Sequence, residues 1–370
     1  MVKAIKKLSL PSFVNLNNAS KWSFGTDLNK IAQRAKEFRD QNAIKPCGGD
    51  KVKTELLIID AQKDFCFPPD NSGDAQGGTL YVAGRSGTGS IDDNKRLVSF
   101  LYNYMDRLTN ITATMDTHFP YQIFFSPFWQ DEHEQPLAPF TTITSDMVKH
   151  GKAVPTPVMA HIVAKGNYQW VLDYAKHYTK VLEDDQAAKG KSSTGKYQLL
   201  LWPFHCMLGT DGHALVGLVQ EALLMHSLVR GAPGNRETKG GNYLTENYSV
   251  LSPEVLVAHD NRAIAQRNTK FIEKLLTNDY VFIAGQAASH CVKSTISDLL
   301  NAIMAQDKSL AKKVYIITDT MSAVTVPDGK GGFFADYTKN AEDAYAEFSA
   351  AGMHLVTTAT PMDQWPDIQF

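Results

Sequence analysis

Cysteine is scarce in this chain: four in 370 residues, at Cys47, Cys66, Cys206 and Cys291, none in CxxC spacing. That excludes a zinc ribbon and a secreted disulfide framework. An excess of either charge is missing too. A formal charge of −2 gives no reason to expect nucleic acid or an anionic membrane as partner. No stretch approaches the length of a membrane span. The basic start MVKAIKKLSLPSFVNL lacks a long apolar core and a small-residue cleavage site, so a reducing cytoplasm is the expected location. The segment GRSGTGS lacks the lysine of a phosphate loop and precedes rather than follows its nearest strand run. What remains is the composition of an ordinary globular protein, long enough to bury a large core.

Short apolar runs carry the organisation. YVFIAGQAASHCVKSTISDL, residues 280–299, reads as a buried strand, a tight exit at Gly285 and a helix with the apolar set Val292, Ile296, Leu299 and Leu300. ELLIID gives a second buried strand over residues 56–59. NITATMD, YQLLLW, KVYIITD and HLVTT give further strands. Helical periodicity marks residues 27–40, 91–108, 168–182, 213–228, 260–277 and 333–352. Strand and helix alternate, which predicts an α/β fold with a mainly parallel sheet covered on both faces. Residues 1–50 read as an N-terminal extension. Residues 51–370 form the domain, with residues 119–196 elaborating one face as a lid or an oligomer contact. That segment ends in a charged Gly/Ser/Lys stretch, and a homo-oligomer stays open on this reading.

Chemistry-bearing residues fall at strand ends. Cys291 lies where a strand ends and a helix begins, the edge at which open α/β sheets bind ligands. Helix-end amides there predict a lowered thiol pKa. The alternative is a buried structural cysteine. Asp60 follows the second strand and faces the same edge if the two strands are parallel neighbours; otherwise it caps a turn. Asp116 and His118 form an Asp-x-His whose side chains share a face. They suit a divalent metal or a plain hydrogen-bonded pair. His205 arrives at the end of YQLLLW, and with that pair gives an N/O set suited to Zn, Fe or Mn. Glu132, His133 and Glu134 in the DEHE run read as a solvated face. Lys239 lies beside two glycines on a polar loop.

Together these segments resemble the isochorismatase-like cysteine hydrolases, and among them most closely the nicotinamidases, over about residues 54–359. The matching motifs stand in order: Asp60 and Phe65 in IIDAQKDF, Asp116 and His118 in D-x-H, WPFHC with its downstream GT, TKGGNYLTENYS, and GQAASHCV. The resemblance implies a three-layer α/β/α fold and a catalytic Asp60, Lys239 and Cys291. It implies a cis peptide before Ala287, with the Ala287 and Cys291 amides as oxyanion hole. It also implies a divalent metal, Zn first with Fe or Mn as alternatives, on Asp116, His118 and His205. Phe65, Trp202 and Tyr248 would contact substrate. Motif order prefers Lys239 to Lys165 and makes Cys206 structural. Gln122 and Phe124 stand where some relatives carry a further His or Ser, and the segment between His118 and His205 is longer than in compact nicotinamidases. The implied activity is hydrolysis of nicotinamide to nicotinate and ammonia through a thioester, a step of NAD metabolism. Alternatives are an amidohydrolase for another carbamoyl or ureido amide, and a non-catalytic sensor of a nicotinamide-like ligand.

Overall fold

The computed structural model describes residues 6–70, 76–188 and 197–370. The expected Gly/Ser/Lys stretch before Lys196, and part of the expected loop over residues 70–90, lie outside the described residues.

Six strands form the central sheet: β1 (Thr54–Ile59), β2 (Asn110–Asp116), β3 (Asn235–Lys239), β4 (Tyr280–Gly285), β5 (Val314–Ile317) and β6 (His354–Val356). Their order is β6-β5-β4-β1-β2-β3, and every neighbouring pair is parallel. Because parallel strands need crossovers, helices cover both faces. Leu56 and Ile58 of β1 point into one core with α1 (Ile31–Gln41), α2 (Lys63–Cys66), α3 (Gly89–Asn103) and α5 (Gly217–Arg230). Leu57 and Ile59 point into the other, with α6 (Thr269–Leu276), α7 (Lys293–Gln306) and α8 (Thr338–Ala350). The continuous apolar run of β1 follows from burial on both sides. The α/β architecture expected from the alternating pattern is the one observed.

Strand order reverses between β1 and β4, and it is at the carboxyl ends beside such a reversal that open α/β sheets bind ligands. β1 pairs with β4 in register from Thr54↔Tyr280 to Ile59↔Gly285. At that last pair φ of Gly285 is +115°, and a Cβ there would stand 2.0 Å from the Ile59 carbonyl oxygen. Only glycine fits so close a backbone. Gly285→Ala is expected to cost about 3 kcal/mol or more in denaturant unfolding. A change below about 1 kcal/mol would show that the β1–β4 seam relaxes freely.

Several boundaries differ from the sequence expectation. YQLLLW is not a core strand. Only Leu199–Leu200 is paired as a strand, antiparallel to Thr142–Ile143 in a separate two-stranded sheet, because Trp202 N is taken by Phe124 O at 2.9 Å instead of continuing the ladder. The helix expected over 260–277 is confined to Thr269–Leu276, where the Asn268 side chain caps the start by accepting from Phe271 N at 3.3 Å. The helix expected over 333–352 begins at Thr338, after a hairpin of Thr325–Pro327 and Phe333–Asp336. Lys239 is not on a loop but is the last residue of β3, the polar edge strand Asn235–Lys239.

Residues 6–50 pack on the domain chiefly through α1 against α5. The buried Arg230 ties them down, donating to the Lys45 carbonyl and to Asp50. Between β2 and Leu199 the chain builds a third cluster. It centres on α4 (Tyr168–Ala188) and includes Phe128, Trp129, Tyr174 and Tyr178. Among the described residues no helix is long and apolar enough to cross a membrane.

Candidate active site

Asp60 is the first residue beyond β1 and is fully buried. Its φ of +45° is unusual for a side-chain-bearing residue. Thr114 on the neighbouring strand holds it twice, accepting from Asp60 N at 3.1 Å and donating to Oδ1 at 2.5 Å. Lys239, at the end of β3, reaches across β2 to the same place. Its Nζ stands 2.9 Å from Asp60 Oδ2 and 3.0 Å from Asp116 Oδ1, donates to Asn247 O at 3.0 Å, and lies 3.6 Å from Cys291 Sγ. The structure thus gathers Asp60, Lys239 and Cys291 from three strand ends. Lys165, the other lysine weighed, is exposed on a turn.

Cys291 lies on a turn of π-helix, Ala288–Val292, that precedes α7. The Gln286–Ala287 peptide is cis, as the resemblance implies. The expected lowering of the thiol pKa is corrected. Burial pushes the Cys291 thiol well up, Lys239 opposes this, and the Asp60 and Asp116 carboxylates push it further. One turn of dipole is too weak to offset desolvation. Burial likewise raises Asp60 against the pull of Lys239. Lys239 is raised well above the usual lysine range, burial being outweighed by Asp116 and Asp60. Asp60 and Cys291 therefore compete for one proton beside an ammonium that stays charged.

Beside this trio the ligand atoms of Asp116, His118 and His205 lie within 4.8 Å of one another, all buried, an arrangement that can hold a metal ion. Gln62 clamps Asp116 by accepting from its N at 2.7 Å and donating to its carbonyl at 2.8 Å. His205 Nδ1 lies 2.8 Å from Pro203 O, and His118 Nδ1 3.1 Å from Gln122 Oε1. A proton on each Nδ1 leaves Nε2 as the lone-pair atom, the tautomer a metal takes. His118 Nε2 has no hydrogen-bond partner yet stands 2.9 Å from Asp116 Oδ2. Two lone pairs so close require a proton or a cation. Gly240 leaves room here, since a Cβ on it would come 2.7 Å from Asp116 Oδ1 and from His118 Cε1. Burial holds Asp116 up, but the His118 and Lys239 charges win and drop it below the usual carboxylate range. Burial, with the His118 charge, pushes His205 down to about 3.

His205 reaches this cluster from a loop lying beside the β2 exit rather than from a core strand. His118 N donates to Cys206 O at 3.0 Å and Leu208 N to His118 O at 3.0 Å. Cys206 is buried, and its own N donates to Asp64 Oδ2 at 2.6 Å. Phe65 packs against the His205 ring at 5.5 Å. Trp202 Nε1 donates to the Tyr248 hydroxyl at 3.0 Å, and both rings pack against His290, beside Cys291. Glu132, His133 and Glu134 are exposed, away from this cluster.

Sequence reasoning missed Thr114, Gln62, the Asn247 carbonyl, His290 and Glu246. Two of these carried a signal. Thr114 is two residues before Asp116 on one strand and therefore on its face, and Gln62 stands inside the quoted IIDAQKDF. Glu246 is buried, its carboxyl raised to about 7 by burial, with His118 pulling it down and Asp116 pushing it up. Nothing in TENYS signals that depth.

No family model matches the chain. No curated protein matches it either. Among solved structures the chain is similar to a yeast nicotinamidase at 18% identity and TM-score 0.46, over 82% of this chain and 99% of that one. It is similar to an Acinetobacter nicotinamidase/pyrazinamidase at 18% identity and TM-score 0.44, over 84% and 98%. A Pyrococcus horikoshii pyrazinamidase in complex with zinc has 15% identity and TM-score 0.41, over 82% and 99%. Likeness at this level says nothing of activity.

Proposed function

We propose that the chain is a cysteine amidohydrolase of the isochorismatase-like type, that it hydrolyses a small aromatic carboxamide, and that nicotinamide is the first substrate to test. The observation that carries the reading is the Lys239 ammonium, in contact at once with the Asp60 carboxylate and the Cys291 sulfur. Amide hydrolysis by a thiol needs a base for the S–H proton, a charge to hold the thiolate, and an acid for the leaving nitrogen. Asp60 takes the Cys291 proton as Sγ attacks the carbonyl carbon. The Ala287 and Cys291 amides receive the oxyanion. As the C–N bond breaks, Asp60 returns the proton to nitrogen and ammonia leaves a thioester. Water then attacks the thioester, Asp60 takes its proton, and cleavage of the C–S bond restores the thiol and releases the acid. Lys239 stays charged throughout. Phe65, Trp202 and Tyr248 offer flat faces to an aromatic ring.

Asp116, His118 and His205 would hold a divalent metal. The donor set suits Zn, with Fe or Mn as alternatives. When bound, the ion supplies a positive site that orients a ring nitrogen, directly or through a water.

An ammonia-release screen over nicotinamide, pyrazinamide and small ureido amides tests the assignment. Release from nicotinamide is expected. Release from ureido compounds alone would move the substrate class, and release from none would remove the hydrolase reading. A second test addresses the metal. His205→Ala is expected to lose bound metal and raise KM for nicotinamide by about tenfold or more. Alkylation of Cys291 should change less, because the ion positions substrate while the thiol reacts. Elemental analysis of untagged protein is the direct check. Absence of Zn, Fe and Mn together with full activity in chelator would remove the metal site.

A further inference from the structure

We propose that residues 119–188 hold Lys239 in its working position, with the phenols of Tyr174 and Tyr178 as positioning residues. This rests on the Asp60–Lys239–Cys291 cluster of the proposed hydrolase. After β3 ends at Lys239 the chain runs through residues 240–248 without regular structure, so its backbone groups need partners from outside. Those partners come in chain order. Gln122 Nε2 donates to Gly240 O and, at 2.9 Å, to Asn242 O; Ile123 N donates to Tyr243 O at 2.9 Å. Tyr174 OH donates to Leu244 O at 2.7 Å, and Glu246 N donates to Tyr178 OH at 3.1 Å. One residue on, Asn247 O accepts from Lys239 Nζ.

Helix α4 suits this task. Tyr174 and Tyr178 are one turn apart on one face, about 6 Å along the axis, and Leu244 to Glu246 spans about 6.6 Å of extended chain. Both tyrosines are fully buried, and the Tyr174 ring stacks on Trp170 at 5.4 Å and 6°, so the phenols have little freedom. Glu254 N and Val255 N also tie the loop, to Glu246 O and to Thr245 Oγ1, each at 3.0 Å, and the two phenols act alongside them.

An ammonium has three protons, and Lys239 Nζ has four neighbours: two carboxylates, one carbonyl and one thiol. Asn247 O takes one proton and, together with the two carboxylates, fixes Nζ 3.6 Å from Cys291 Sγ. Loosening the loop removes that third tie, Nζ moves off the sulfur, and Cys291 loses its cation.

The test uses Tyr174→Phe, Tyr178→Phe and the double variant, each keeping the ring. The readout is the iodoacetamide alkylation rate at neutral pH, followed by mass at the Cys291 peptide of folded protein. In an otherwise native background the double variant is expected to alkylate about fivefold more slowly or worse. In a Lys239→Met background it should alkylate no more slowly than Lys239→Met alone, because effects through one residue do not add. An equal fall in both backgrounds, or no fall in the first, overturns the proposal. If Lys239→Met does not fold, Tyr168→Phe decides. Tyr168, on the same helix, donates to Pro155 O at 2.8 Å rather than to residues 240–248, so its alkylation rate should stay native, and a fall matching the Tyr174 and Tyr178 variants overturns the proposal. Alkylation needs no substrate. A tether that behaves as expected in a protein releasing no ammonia would refute the hydrolase reading alone.

Discussion

Cys291→Ala is expected to lower turnover by at least about 10⁴-fold while the folded state loses only about 1 kcal/mol. The side chain removed is small and sits at a strand end with 6% of its surface exposed. Cys206→Ala is the necessary companion. Cys206 is more deeply buried, and burial raises its thiol well above the ordinary range with Asp116 and Asp64 pushing the same way. Its two ties are backbone bonds, from its N to Asp64 and from His118 N to its carbonyl. Alanine preserves both, so Cys206→Ala should keep turnover within about tenfold. Equal loss in two folded variants would overturn the choice of nucleophile.

What the sequence disclosed, and what it hid, divides along physical lines. Strands buried on both faces were plain, because β1 and β4 have no solvent side to interrupt their apolar runs. Their C-terminal ends were therefore plain too, and with them Asp60 and the approach to Cys291. β3 was hidden. Asn235–Lys239 is an edge strand made wholly of polar residues, the composition that protects an edge from unwanted pairing, and it reads as a loop. Lys239 accordingly looked solvated, although it is 6% exposed. The thiol was misjudged for a related reason. Helix position can be read from sequence, but burial on three sides by other elements cannot, and burial decides the direction of the shift. Other residues that support the site, such as His290 and Tyr178, were equally invisible, because each acts through a contact made far along the chain.

Lys239→Met should damage both stability and reactivity. Methionine fills the volume but leaves Asp60 and Asp116 facing each other without the ammonium that now stands 2.9 and 3.0 Å from them. Removing one partner of a buried ion pair costs about 3–5 kcal/mol, to be read from denaturant midpoints. The reactivity effect has a definite sign. Lys239 pulls the Cys291 thiol down against burial, so its loss moves the thiol further up and shrinks the thiolate fraction at neutral pH. Iodoacetamide should then alkylate Cys291 about tenfold more slowly or worse, one decade for each unit of further rise. Lys165→Met, on an exposed turn, should change neither quantity. Slower alkylation in Lys165→Met with a native rate in Lys239→Met would transfer the cation's role to Lys165. A Lys239→Met protein that is destabilised yet alkylates at the native rate would leave the lysine a structural ion pair and require another source of charge for the thiolate.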